Sequence, residues 1–231
     1  AQIEGAGTRT ITIEGVPSLH AVDYEVIPDR IEAGTYCVAA AATCGDVLIQ
    51  NVVPDHLHPV ILKLQEAGVD VVPIADGKDA VGSVRVRASR PIYAVDILAM
   101  PHPGFPTDMQ QPFVAMLATA EGTSVVTDHV FENRFRYVAE LVRMGADIRV
   151  EGRSAIVRGV ERLQGTTLTA TDLRAGAALV VAALCAEGES VITGVDHIDR
   201  GYGNLEAKLR ALGAAIERVG VASGMPLLAA G

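Results

Sequence analysis

The chain has 231 residues and a net charge of −9; 49% of its residues are hydrophobic and 4% are aromatic. This acidic balance argues against broad nucleic-acid binding, which needs a basic face to neutralise phosphates. With no tryptophan and many small aliphatic residues, the core is expected to be that of an α/β or α+β protein.

The first predicted unit starts with two strand-like segments, residues 10–13 and 24–27, followed by a helix start at Asp29. An acidic residue three positions later completes a capping box. The helix is apolar on nearly every face and ends near Gly45, so we expect it to be buried. A β-rich run, a second helix and a further strand complete the unit.

The same plan returns twice, with Asp108 and Asp172 in the position of Asp29. A glycine follows these aspartates after 16, 14 and 16 residues, and a second glycine after a further 23, 23 and 25. Chance does not keep two spacings over three copies, so we predict three ββαβαβ repeats. Their approximate bounds are residues 9–81, 82–153 and 154–219.

These repeats predict a single domain over residues 1–219, closed around a pseudo-threefold axis. Because the first helix of each repeat is apolar all round, those three helices should lie inside, with sheets and amphipathic helices around them. Residues 220–231 show no clear element and are interpreted as a tail.

Cys37, Cys44 and Cys185 lie in or beside alanine-rich runs, and we interpret them as buried or partly buried thiols in a reducing compartment. The histidines show no metal-type pairing and no phosphate-binding glycine loop is present, so neither a metal nor a cofactor is predicted. There is no signal peptide and no apolar run of roughly 18 residues, which predicts a cytoplasmic protein. The chain starts at Ala1 in mid-pattern, as a fragment would.

Asp108 is the best candidate for a catalytic group, although the aspartates of the other two repeats favour a simple helix cap here as well. The approach to it, residues 101–106, is rich in proline and unique to this repeat. A carboxylate held by such a loop at the mouth of a helix could point into a cleft. At this point both interpretations stay open.

Three arginines are candidates for binding an anionic substrate: Arg134, Arg174 and Arg200. Arg134 and Arg200 follow corresponding strands of two repeats, so symmetry places them at one end of the domain. Guanidinium forks suit carboxylate and phosphate groups. The alternative is surface ion pairing of Arg134 with Glu132 and of Arg200 with Asp199.

Several motifs resemble the enolpyruvyl transferases, and among them the enzymes that use UDP-N-acetylglucosamine. The similarity covers about residues 1–219 and includes residues 28–35 (PDRIEAGT) and 208–213 (KLRALG). The four most specific motifs are FPTDMQ (105–110), VFENRF (130–135), ATDLR (170–174) and HIDRGY (197–202). The resemblance implies an inside-out α/β barrel with buried inner helices, since the family has two such domains of three repeats each.

The resemblance also implies a reaction. Family members add the 3-hydroxyl of UDP-N-acetylglucosamine to C2 of phosphoenolpyruvate and expel phosphate from a tetrahedral intermediate, the first committed step of peptidoglycan synthesis. By motif, Asp108 would accept the hydroxyl proton, while Arg174 and Arg200 would hold the carboxylate and phosphate of the donor. The implied substrate-binding residues are Val130, Phe131, Arg134 and Asp172.

The chain is about half as long as the family enzymes, whose first domain carries a loop cysteine, a Lys-Asn pair and further arginines. None of the cysteines here lies in a matching motif. We therefore expect this chain to supply one wall of a two-domain cleft, to need the missing first domain as a partner, and to be inactive alone. Residues 10–27 are predicted to close the domain in place of an absent N-terminal strand pair.

Two other functions are considered. The first is the 3-phosphoshikimate enolpyruvyl transferase, which shares the fold and the donor; the VFENRF and HIDRGY motifs favour the UDP-sugar enzyme. The second is a non-catalytic domain kept for binding or assembly. The presence of the candidate site residues Asp108, Arg174 and Arg200 argues against this function.

Overall fold

The first 27 residues lie outside the packed part of the chain. The computed structural model describes residues 1–220 and the backbone of residues 227–230. Strands β1 (Gln2–Glu4) and β2 (Thr12–Glu14) form an antiparallel hairpin, and every residue from 1 to 27 is exposed. The prediction that residues 10–27 close the domain is therefore wrong. Among the described residues, β2 pairs with β1 alone, and residues 24–27 form no strand.

The first packed unit combines two helices with a three-stranded antiparallel sheet of order β3-β5-β4. Asp29 begins its first helix, because the carboxylate accepts hydrogen bonds from the backbone N–H groups of Ile31 (2.7 Å) and Glu32 (3.3 Å). The elements are α1 (Arg30–Ala42), β3 (Asp46–Val52), a 3-10 turn (Pro54–Leu57), α2 (His58–Glu66), β4 (Asp70–Ile74) and β5 (Gly82–Arg87).

The second unit has a four-stranded sheet. Its elements are β6 (Ile97–Ala99), a 3-10 turn (Thr107–Met109), α3 (Gln110–Leu117), β7 (Thr123–Asp128), α4 (Val138–Arg143), β8 (Asp147–Glu151) and β9 (Ser154–Arg158). The strand order is β6-β7-β9-β8, and β6 runs parallel to β7 while the other pairs are antiparallel.

The third unit repeats this arrangement with some additions. Its elements are β10 (Leu163–Gln164), β11 (Thr167–Thr169), α5 (Leu173–Leu184), β12 (Ala186–Glu187), β13 (Ser190–Thr193), α6 (Asp196–Asp199), α7 (Leu205–Ala211), β14 (Ile216–Val219) and β15 (Leu227–Ala230). The sheet order is β11-β13-β15-β14, with β11 parallel to β13. β10 and β12 form a separate parallel pair.

The last strand of each unit lies between two earlier strands of the same unit, which differs from the predicted repeat boundaries. The sequence pattern assigns residues 84–86 and 155–157 to the start of the following repeats, whereas β5 and β9 pair within the preceding sheets. A periodic pattern fixes the length of a repeat but not where it begins, and this explains the difference.

The predicted tail contains a strand. β15 pairs antiparallel with both β13 and β14, so it takes in the third sheet the place that β5 and β9 take in the other two. A strand there pairs the backbone N–H and C=O groups along both neighbours, which would otherwise be open edges. The prediction of no element is wrong for residues 227–230, while residues 221–226 and 231 lie outside the described residues.

Three helices form the centre of the core. α1, α3 and α5 pack against one another and are buried on nearly every face, as their apolar sequences predict. Gly34 of α1 permits a close approach to the turn before α3, because a Cβ at this position would lie 2.9 Å from Met109 Cε. The result is an α/β fold of mixed sheets and helices, in which α1 fixes the turn that carries Asp108.

Candidate active site

An open cleft of about 630 Å³ is lined by residues of the second and third units. Six of the seven predicted site residues line it, and Val130 is the exception. Although the whole chain is acidic, the cleft has four arginines against three carboxylates, which favours an anionic ligand. Its charged residues are Asp108, Glu132, Arg134, Arg136, Asp172, Arg174 and Arg200.

Asp108 lies between two arginines and does not cap a helix. It sits within the 3-10 turn before α3, and no side chain caps that turn or α3. One carboxylate oxygen of Asp108 accepts a hydrogen bond from Arg134 Nη2, and the other accepts from Arg174 Nε at 3.1 Å. The cap interpretation is therefore wrong for Asp108, although it is correct for Asp29 and Asp172.

The approach to Asp108 is anchored in the core. Phe105 is buried and packs edge-to-face on Phe113 of α3, with the ring centroids 5.1 Å apart. On the other side of Asp108, Met109 is fully buried against α1. Because both flanking positions are packed, the carboxylate between them is held at the edge of the cleft and stays one-third exposed.

Arg134 is held by contacts to its guanidinium group and to its backbone carbonyl. Its guanidinium carbon lies 4.9 Å from the centre of the Phe131 ring. With the Gln111 amide oriented to satisfy both of its polar atoms, its oxygen accepts from Arg134 Nε at 2.8 Å. Gln110 donates to the backbone carbonyl of Arg134 at 3.4 Å and is itself bound by the hydroxyl of Tyr137.

Arg174 lies in the first turn of α5 and is the most buried of the three arginines, with 13% of its side chain exposed. Its guanidinium carbon is 5.4 Å from the centre of the Tyr202 ring. Burial disfavours the charged form, but neighbouring Tyr202 and Asp108 outweigh it, so the pKa of Arg174 is raised above its ordinary value. Within the described part of the chain, the buried Nη1 has no hydrogen-bond partner.

Asp172 caps α5, since its carboxylate accepts from the backbone N–H groups of Arg174 (3.0 Å) and Ala175 (2.9 Å). This bond fixes the first turn of the helix and with it the start of the Arg174 side chain. Asp172 is exposed and lines the cleft, so it combines a structural role with access to a ligand.

The ion pairs expected as the alternative for Arg134 and Arg200 do not form. Glu132 pairs with Arg153 at 2.8 Å, and Asp199 makes two bonds to Arg218 at 2.7 and 3.0 Å. Among the residues that the structure describes, Arg200 forms no ion pair. It follows α6 directly and is exposed, so its guanidinium is available to a ligand in the cleft.

Val130 and Phe131 contact the cleft differently from each other. Phe131 is half exposed and lines it, whereas Val130 is partly buried. Both backbone N–H groups donate to Asp128, at 2.8 and 3.0 Å. A backbone contact from these residues to a ligand would therefore have to use their carbonyl oxygens. Asp128 is absent from the predicted site; its sequence signal is a charged residue at the end of a predicted strand.

The cysteines do not line this cleft. Cys37 is buried and Cys185 partly buried, and burial raises the pKa of each thiol to about 12. Cys44 is exposed, contrary to prediction, because it follows the end of α1 in a turn with a φ of 56°. In residues 1–220 no group of three or more His, Cys, Asp or Glu could hold a metal. No helix there is long and apolar enough to cross a membrane.

The sequence is similar to enolpyruvyl transferases over nearly its whole length. A family model described as EPSP synthase (3-phosphoshikimate 1-carboxyvinyltransferase) matches residues 1–209. UDP-N-acetylglucosamine 1-carboxyvinyltransferase from Desulfofundulus thermocisternus is 61% identical over 94% of this chain and 88% of that protein. The enzyme of the same name from Trichormus variabilis is 53% identical over 95% of this chain but 48% of its own length. The chain thus spans about half the length of this second relative.

Solved structures agree with the sequence comparisons. The enolpyruvyl transferase NikO from Streptomyces tendae is 30% identical with a TM-score of 0.78, over 99% of this chain and 51% of that protein. An EPSP synthase from Acinetobacter baumannii has the same fold, with a TM-score of 0.65 at 18% identity over 89% of this chain and 46% of its own. The chain therefore belongs to the enolpyruvyl transferase family.

Proposed function

We propose that this chain is one of the two domains of a UDP-N-acetylglucosamine 1-carboxyvinyltransferase, which transfers the enolpyruvyl group of phosphoenolpyruvate to the 3-hydroxyl of the sugar. The observation that carries this proposal is the carboxylate of Asp108, which accepts hydrogen bonds from Arg134 and Arg174 in a cleft that also contains Arg200. The relatives that are 53–61% identical carry this name, whereas the EPSP synthase structure is 18% identical. This difference supports the UDP-sugar over shikimate 3-phosphate.

The reaction needs a base and a cationic site for the donor. The sugar oxygen bonds to C2 of phosphoenolpyruvate and its proton passes to Asp108. An acid of the first domain gives a proton to C3, so the C2–C3 double bond becomes a single bond and a tetrahedral intermediate forms. Loss of phosphate from C2 and of a proton from C3 restores the double bond. Arg174 and Arg200 hold the carboxylate and phosphate of the donor and stabilise the charge that develops.

The contacts of Asp108 suggest how substrate prepares the base. Each of its oxygens accepts one hydrogen bond from a guanidinium group, so Arg174 occupies one side of the oxygen to which the sugar hydroxyl would donate. An anionic donor competes for Arg174, whose Nη1 has no partner among the described residues. Withdrawal of Arg174 from Asp108 then frees the second carboxylate oxygen for the sugar hydroxyl.

The sugar nucleotide is proposed to lie along the other side of the cleft. Phe131 offers an exposed ring, and Arg134 and Asp172 supply polar groups beside it. Val130 contributes through its backbone carbonyl, because its N–H already donates to Asp128. No cofactor is required for this chemistry.

The chain is proposed to act with a partner domain. The chain spans about half the length of relatives such as the Trichormus variabilis enzyme, and a first domain like that of these relatives would form the opposite wall of the cleft. The chain alone should bind substrates weakly and turn over little. A cytoplasmic role in peptidoglycan synthesis follows from the proposed reaction.

We also propose that the three units form an inside-out α/β barrel with a pseudo-threefold axis, as one domain. Two observations support this arrangement. The inner helices α1, α3 and α5 pack on one another, and β5, β9 and β15 occupy the same place in their sheets.

Ligand-induced stabilisation tests the proposed substrate. UDP-N-acetylglucosamine at millimolar concentration should raise the melting temperature of the chain, because a ligand that binds the folded state alone stabilises it. Shikimate 3-phosphate and UMP are the controls. Stabilisation by shikimate 3-phosphate but not by the UDP-sugar would contradict the proposal and favour the shikimate-pathway reaction.

A further inference from the structure

We propose that Asp128 is a positioning residue of this site, and that its bond to Thr107 ties together the two turns that flank the Asp108–Arg134 pair. The inference rests on the proposed function for its link to substrate binding. The geometry on which it depends is independent of that function.

The carboxylate of Asp128 is fully buried at the end of β7 and is satisfied by three donors. One oxygen accepts from the backbone N–H groups of Val130 and Phe131 at 2.8 and 3.0 Å. The other accepts from the hydroxyl of Thr107 at 2.5 Å, across 21 positions of sequence. One buried group therefore holds both turns at once.

Each of these turns carries a part of the site. Thr107 directly precedes Asp108, so the bond fixes the start of the turn that presents the base. Phe131 packs on the guanidinium of Arg134, which in turn binds Asp108. A shift between the two turns would change the position of Asp108 relative to the surface proposed to bind the sugar nucleotide.

The end of a strand does not by itself require a buried carboxylate here. In the third unit the equivalent position is Thr193, which pairs with Thr169 as Asp128 pairs with Ala99. The Thr193 hydroxyl bonds to Leu168 O and Thr169 Oγ1 within its own sheet. Burying a carboxylate costs free energy unless several donors satisfy it, so the choice of Asp128 is explained by the two turns that it joins.

Replacement of Thr107 tests its hydrogen bond to Asp128 without creating a cavity in the core. Thr107→Val keeps the shape of the side chain and removes the hydroxyl, whereas Thr107→Ser keeps the hydroxyl. The matched control is Ser124→Ala, which removes a buried hydroxyl of β7 that accepts a hydrogen bond from the N–H of Val95. This control should lower stability through a lost hydrogen bond without reaching the cleft.

NMR of the labelled chain measures both consequences in one sample. In Thr107→Val, amide exchange at Val130 and Phe131 should be about tenfold faster, and the dissociation constant for UDP-N-acetylglucosamine about tenfold higher, as for loss of a bond to a charged group. Exchange at Val125, whose N–H donates to Asp96, should not change. Thr107→Ser should recover most of both effects.

Three results would overturn the inference. The first is unchanged exchange at Val130 and Phe131 in Thr107→Val, and the second is unchanged affinity despite faster exchange. A Ser124→Ala chain that loses as much affinity as Thr107→Val would also contradict it, since the effect would then be general destabilisation. Failure of the unsubstituted chain to bind the UDP-sugar counts against the proposed function, while the exchange rates still decide the role of Asp128.

Discussion

Asp108 and Asp46 allow a comparison within one chain, since each carboxylate is held by two arginines. Asp46 accepts from Arg85 at 2.9 Å and from Arg87 at 3.2 Å on an open sheet surface, and the hydrogen bond from Arg85 is the main cause that lowers its pKa to about 2. Asp108 has the same kind of partners, but it lies in the cleft. Location, and not pairing alone, therefore separates a structural carboxylate from a candidate base.

The first prediction concerns these two aspartates. Asp108→Asn should reduce turnover of the two-domain enzyme by about a hundredfold or more, because the amide cannot accept the hydroxyl proton. Asp46→Asn removes a comparable carboxylate outside the cleft and should leave turnover within about twofold. Initial rates of phosphate release measure both. Equal losses in the two variants would mean that Asp108 acts through folding.

The second prediction concerns the thiols. A pKa of about 12 keeps Cys37 and Cys185 protonated at pH 8, and the thiolate is the reactive form. Cys44 is exposed, so a disulfide reagent should modify one thiol of the folded chain rapidly and the other two after unfolding. Mass spectrometry of the labelled peptides identifies the site. Rapid labelling of Cys37 would contradict the packing of α1.

At the scale of elements, β15 and the N-terminal hairpin differ in what they contribute. β15 joins β13 to β14, whereas residues 1–27 are exposed throughout. Strands that complete a sheet satisfy the backbone groups of two neighbours, while an exposed hairpin buries little apolar surface. The two ends of the chain should therefore respond differently to truncation.

The third prediction follows from this contrast. Deletion of residues 227–231 should lower the melting temperature by roughly 5–10 °C, because it leaves two open strand edges in the third sheet. Deletion of residues 1–20 is the matched control and should shift it by less than about 2 °C. Calorimetry of both variants gives the comparison. A large loss from the N-terminal deletion would restore the idea that this segment closes the domain.

At the scale of the whole molecule, part of the architecture follows from sequence. Local sequence patterns predict that Asp29 and Asp172 cap helices and that the inner helices are buried. The correspondence between repeats predicts that Arg134 and Arg200 lie at one end of the domain, and both line the same cleft. The cap prediction is wrong for Asp108, since the chain forms a 3-10 turn between Pro106 and α3.

Other features depend on contacts that a single sequence does not display. The Thr107–Asp128 bond joins positions in separate elements, so no local pattern indicates it. β5 and β9 pair with strands of the preceding unit and not of the following one. The period of the repeat does not indicate to which unit such a strand belongs. The exposure of Cys44 depends on a left-handed turn after α1.

The chain is proposed to supply one wall of a two-domain active site. Phosphate release from phosphoenolpyruvate and UDP-N-acetylglucosamine, measured with and without a separately expressed first domain of a relative, tests it most directly. We predict activity in the mixture, none from either part alone, and loss of activity with Asp108→Ala. Turnover by the chain alone, or a mixture that forms a complex but stays inactive, would contradict the account.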